Sequence, residues 1–127
     1  MDRILFLVSG VSGFLAVALG AFGAHGLEKR LGSLPDYADR MRWWTTGAQY
    51  HLVHSLAIGL SALAIARFAG AQTSGFLFLA GIVLFSGSLY VMTLTGVRVL
   101  GAVTPIGGLL MLAGWANLAF AAYRATR

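Results

Sequence analysis

The chain has 127 residues, of which only 10% are charged and 58% hydrophobic, with a mean hydropathy of +0.81; an ordinary globular domain carries roughly 25% charged residues. A single domain of this length has too much surface for so few polar side chains to cover it, so a water-facing exterior is excluded. The nine Lys and Arg residues give a net charge of +5, but they sit at the ends of apolar segments. There they read as head-group anchors, not as a nucleic-acid footprint. Cysteine is absent, which rules out disulfides, thiol nucleophiles and Cys-based metal sites.

A membrane-spanning helix needs about 20 mainly apolar residues, because the hydrocarbon core is ~30 Å thick and each residue rises ~1.5 Å. Four stretches qualify: residues 4–24, 49–66, 75–97 and 99–123, the last three closed by Arg67, Arg98 and Arg124. The first is longer than the apolar core of a signal peptide, about 7–15 residues, and is read as a retained span. Between spans one and two lies a polar loop, 25–48. It holds Glu28, Asp36 and Asp39 with Lys29, Arg30, Arg40 and Arg42. Leu27, Leu31, Leu34, Tyr37 and Met41 recur there at steps of three and four, the mark of short amphipathic turns in the interface. Pro35 signals a break or a fresh helix start, and Trp43 and Trp44 fall where an interfacial aromatic belt sits. The other two connections are tight.

The fold class predicted is all-α: an integral membrane bundle of four transmembrane helices, one membrane domain over residues 1–127, with a short amphipathic segment in loop one. Four spans put both termini on one side with Arg3, Arg67, Arg124 and Arg127. Lys29, Arg30, Arg40, Arg42 and Arg98 face the other side. Arg124 and Arg127 have no acidic neighbours, which favours cytoplasmic termini.

Burying leucine does not draw helices together in lipid, whereas close backbone approach through small residues does. Ser12, Ala16, Gly20 and Ala24 recur at four-residue steps on span one, and Gly107 and Gly108 lie on span four. These are the predicted helix-packing residues, and Gly20→Leu is expected to disrupt folding or assembly. Trp43, Trp44, Arg67, Arg98 and Arg124 are the predicted interfacial anchors.

Polar groups inside a span are costly and need a reason. His51 and His54 stand three apart on one helix face with Gln49 beside them, and His25 ends span one. If the chain turns back at loop one, three imidazoles meet at one depth. Such a cluster could bind a transition metal or haem iron, relay protons or hold a small molecule; the blander role is hydrogen bonding in the interface. Thr104-Pro105 reads as the first turn of span four, and Asn117 as an interhelical hydrogen-bonding group. No carboxylate lies in any span. There is no phosphate-binding Gly-Lys loop and no nucleophile with a base and an orienting acid, so catalysis is not expected and no cofactor is required.

Four ordered motifs, Gly20-Ala-Phe-Gly-Ala-His-Gly-Leu27, Thr46-Gly-Ala-Gln-Tyr-His-Leu-Val-His-Ser55, Phe85-Ser-Gly-Ser-Leu-Tyr90 and Thr104-Pro-Ile-Gly-Gly108, resemble the marks of the domain-of-unknown-function 423 family of YgdD-like membrane proteins. The resemblance covers nearly the whole chain. It implies a small four-helix protein of the bacterial inner membrane, supplies no activity, and places the three histidines inside family motifs. The leading functional expectation is a structural or accessory subunit, in contact with lipid and with other membrane subunits or a second copy of itself. The alternatives are a metal-, haem- or small-molecule-handling protein built on His25, His51 and His54, and a minimal oligomeric transporter.

Overall fold

A computed structural model describes residues 1–127. It is all helical: α1 (Asp2–His25), α2 (Leu27–Leu31), α3 (Tyr37–Ala64), α4 (Ala71–Thr95), a 3-10 turn (Arg98–Ala102) and α5 (Thr104–Ala125). Three helical stretches are long and apolar enough to cross a membrane: Asp2–His25, Ala71–Thr95 and Arg98–Ala125. The central pair is α3 and α4, with α1 seated on α3 and α5 on α4.

The assembly is inverted relative to a soluble domain. Leu7, Phe14, Leu56, Leu63, Leu109 and Leu112 are largely exposed, whereas Ser55, Ser61, Ser74, Ser86 and Thr93 are fully enclosed beside Leu5, Ile58 and Phe78. A water-soluble protein places these classes the other way round. Every buried side-chain polar atom has a partner, as a lipid surround demands. Asn117 Nδ2, for instance, donates to the Gly70 carbonyl at 3.0 Å and to Ser74 Oγ at 2.8 Å, which ties α5 to the start of α4.

Glycine sets the closest helix approaches. A Cβ on Gly107 would lie 2.7 Å from Phe85 Cα, and one on Gly81 would lie 2.6 Å from Met111 Cγ. Backbones of α4 and α5 therefore touch without intervening side chains. Helix α4 is bounded by Gly70 (φ +92°) and Gly96 (φ +73°), left-handed positions that other residues rarely adopt. Pro105 occupies the first turn of α5, where its missing N–H costs no hydrogen bond.

The predicted loop 25–48 is corrected. Short helix α2 does lie there, with Leu27 fully buried and Glu28, Lys29 and Arg30 exposed, but α3 begins at Tyr37, well before Gln49. The charges permit the early start because they neutralise one another. Arg40 Nε pairs with Asp36 Oδ1 at 3.0 Å one turn away, Arg42 pairs with Asp39, and Arg98 reaches Asp39 at 3.4 Å from the 3-10 turn. Acidic groups at a helix N-terminus also complement its dipole. Arg40 Nη1 donates to the Thr93 carbonyl at 3.0 Å, and Thr93 Oγ1 donates back to the Arg40 carbonyl at 3.1 Å. A cation thus caps the C-terminal end of α4 and locks it to the start of α3.

Candidate functional site

Ser12 lies midway along α1 and faces His51 on α3. From there a hydrogen-bond chain runs through the middle of the molecule, and its proton positions follow from counting. Ser55 Oγ lies 2.7 Å from the His51 carbonyl. A carbonyl has no proton to give, so Ser55 donates its only one there. Ser12 Oγ, 2.6 Å from Ser55 Oγ, must then donate to it. His51 Nε2, 3.1 Å from Ser12 Oγ, must in turn carry a proton and donate. In a neutral imidazole this leaves Nδ1 bare, accepting from the Tyr90 hydroxyl at 3.0 Å. The chain is directional, from Tyr90 through His51, Ser12 and Ser55 back to the His51 carbonyl.

His54 has the opposite tautomer. Its Nδ1 lies 2.8 Å from the Tyr50 carbonyl, so Nδ1 donates, and Nε2 accepts from Trp115 Nε1–H at 3.2 Å. Phe78 and Trp115 pack on this ring, with centroids at 5.6 and 6.1 Å. His51 thus joins α3 to α1 and α4, while His54 joins α3 to α4 and α5.

Helices α1 and α4 part on the outer side of His51 and leave a groove of about 590 Å³. Leu7, Val11, Leu15, Leu79 and Val83 wall it, and Ser12, His51, Ser86 and Tyr90 lie at its floor. Ser86 donates its proton to the Gly47 carbonyl at 2.7 Å. Gly87 also lines the groove, and a Cβ added there would meet nothing within 4 Å.

The structure does not bring the three predicted histidines together. His25 is exposed in the last turn of α1, thirteen residues and about 20 Å along the helix from Ser12. Because α3 starts at Tyr37, His51 lies deep in the helix and not near the turn where His25 sits. Both imidazole lone pairs, on His51 Nδ1 and His54 Nε2, already accept hydrogen bonds, and no three His, Cys, Asp or Glu side chains are placed to share a metal ion. The expected convergence of His25, His51 and His54 at one depth is therefore not what the structure shows. Gln49 is exposed on α3 and has no part in the chain.

Of the predicted packing stripe, Ser12 and Ala16 are buried against α3, but Gly20 has open space where a Cβ would point, and Ala24 is exposed. Both line a second hollow of about 570 Å³ with Trp44, Thr45 and Gln49. On α5, Gly107 is a true contact, whereas a Cβ added at Gly108 would meet the Phe85 ring at an ordinary 3.7 Å. Trp44 is not an interfacial anchor. It is buried, donating Nε1–H to the Leu19 carbonyl at 2.8 Å, and its indole fills the space that a side chain on Gly23 would need. Trp43 lies under the Arg98 guanidinium at 5.1 Å. Arg67 follows α3 and Arg124 closes α5 at the opposite end, Arg124 lying over Phe120 at 5.7 Å. Tyr90, Ser55 and Trp115 carry the two histidine networks, and only their hydrogen-bonding capacity within apolar runs could have pointed to them.

The family described as "Protein of unknown function (DUF423)" matches residues 19–108. The UPF0382 membrane protein YwdK of Bacillus subtilis is 41% identical over 96% of this chain and 98% of its own length. The UPF0382 inner membrane protein YgdD of Escherichia coli K12 is 44% identical over 99% and 94%, and a UPF0382 membrane protein of Haemophilus influenzae is 43% identical over 97% and 95%. No solved structure matches. With that family match, full-length relatives named as membrane proteins and three helices able to cross a bilayer, the chain belongs to the DUF423 family and is a multi-pass bacterial inner-membrane protein.

Proposed function

We propose that the chain crosses the membrane four times, as one membrane domain, and that it binds a lipid-soluble small molecule in the groove between α1 and α4. Helix α3 is the fourth span. It runs alongside α1 from Trp44, bonded to the Leu19 carbonyl, to Gly59, which abuts Ser9. A helix paired with a spanning helix over that length spans with it. Its polar side chains lower its hydropathy, but His51, His54 and Ser55 among them are buried against α1, α4 and α5.

One observation carries the binding role: an apolar-walled groove of about 590 Å³ with its few polar groups gathered at the floor. Ligand sites have that character, roughly 300–1,000 Å³ and mainly apolar with a small number of placed polar groups. Gly87→Leu places a side chain in the open groove and leaves the hydrogen-bond chain intact. Native mass spectrometry of the purified protein should show a bound lipid-soluble molecule on the unaltered chain and none on Gly87→Leu. Equal retention by both would end this reading.

The accessory-subunit reading draws on a different surface, the hollow at Gly20 and Ala24, which another membrane helix could enter through small residues. A stoichiometric protein partner in mild detergent, lost on Gly20→Leu with the fold preserved, supports that role. Retention of the partner by that variant counts against it.

A further inference from the structure

We infer that the α1–α4 groove selects a hydrogen-bond donor on an apolar body, a lipid-soluble alcohol. The inference rests on the binding role proposed for that groove and adds the chemistry of its ligand. Three hydroxyls line the groove, those of Ser12, Ser86 and Tyr90. Each has one proton, and each spends it inside the protein: Ser12 on Ser55, Ser86 on the Gly47 carbonyl, Tyr90 on His51 Nδ1. The His51 Nε2 proton goes to Ser12. Ser86 is fully enclosed and Ser12 and His51 are buried, so what the groove still offers a ligand is the lone pairs of Tyr90 Oη.

An acceptor-only floor discriminates. Ester carbonyls, ethers and ketones bring a second acceptor and gain nothing from it. A hydroxyl brings the missing proton, and Tyr90 Oη, on a half-buried side chain at the groove, is the acceptor best placed for it. An ammonium also donates, but a charge at mid-height of a membrane helix assembly is costly. The walls, Leu7, Val11, Leu15 and Val83, open outward among exposed apolar side chains, so the ligand enters from the lipid with its chain along the groove. Acyl chains of ordinary diester phospholipids carry no hydrogen-bond donor within the hydrocarbon core, so the surrounding lipid does not satisfy the floor.

The test compares 1-hexadecanol with hexadecyl methyl ether on the full chain in micelles, occupancy being read by native mass spectrometry. The ether keeps the oxygen and chain and loses only the proton. A net hydrogen bond predicts alcohol favoured about three- to tenfold, with Tyr90→Phe removing the preference and Gly87→Leu abolishing retention of both. The ratio on the unaltered chain decides without any variant, so failure of Tyr90→Phe to fold leaves the test intact. Equal retention of alcohol and ether, both lost in Gly87→Leu, overturns the donor preference and leaves the groove as a binding site. Retention of neither probe, or retention indifferent to Gly87→Leu, overturns both.

Discussion

Gly107 and Gly20 look alike in sequence, each on a stripe of small residues in an apolar helix, yet adding one methyl group should affect them oppositely. At Gly107 the new Cβ would sit 2.7 Å from Phe85 Cα and equally close to its Cβ, where a carbon–carbon contact prefers about 3.5–4.0 Å. Backbone cannot swing aside as a side chain can, so α5 must move away from α4 by roughly 1 Å. A gap of that order forfeits about a quarter to a half of each affected contact, and overpacking of this kind costs about 1–3 kcal/mol. Better helix propensity returns at most about 1 kcal/mol. Gly107→Ala should therefore lose about 1–2 kcal/mol of unfolding free energy. Gly20→Ala, with no atom within 4 Å of the new carbon, should be unchanged or gain up to about 1 kcal/mol. Reversible unfolding in mixed micelles titrated with dodecyl sulfate, followed by tryptophan fluorescence, measures both. A neutral Gly107→Ala, or a Gly20→Ala as damaging as Gly107→Ala, would contradict the packing described.

Arg40→Ala should lower stability by about 1.5–3 kcal/mol, since it removes a charged donor from the Thr93 carbonyl and from Asp36. Arg40→Lys should restore only part of it, because one ammonium cannot reproduce the two-sided guanidinium contact, and the same micellar unfolding assay reads both. Asp39, ahead of the apolar part of α3, has its carboxyl held below the ordinary value of 3.8, first by the hydrogen bond from Arg42 and then by that from Arg98. A depressed carboxylate stabilises above its unfolded value and loses that contribution as pH falls below 3.8 through the folded value. An acid titration should therefore show a small loss in that range only, flattened in Asp39→Asn. Because the chain has no cysteine, single-cysteine labelling reads topology directly. With four spans, Asp2→Cys and Thr126→Cys react with an impermeant maleimide from one face and Ser33→Cys from the other; opposite faces for the two termini would exclude four spans.

Much of the helical plan was legible, because long apolar runs admit little else in lipid. Charge misled the reading of 25–48. Asp36, Asp39, Arg40 and Arg42 suggested a solvated loop, yet their pairing at one-turn spacing and with Arg98 lets α3 begin at Tyr37. That shift moved His51 and His54 inward, away from His25. Small-residue spacing located a stripe on α1 but could not say how far a neighbour covers it: α3 meets Ser12 and Ala16 and leaves Gly20 and Ala24 open. Tyr90 on α4 and Trp115 on α5 complete the two histidine sites. Their partners lie 39 and 61 residues away in sequence, and no local pattern encodes such pairs.

The direction of the hydrogen-bond chain is what gives the groove its acceptor character, and the histidine tautomers report that direction. Solid-state NMR of the ring-¹⁵N-histidine-labelled protein in bilayers, with His51→Gln and His54→Gln used for assignment, reads the protonated nitrogen of each ring. The expected pattern is two neutral rings of opposite tautomer, His51 protonated on Nε2 and His54 on Nδ1. His51 protonated on Nδ1 alone, or on both nitrogens, would reverse or break the chain and leave the groove without its proposed selectivity.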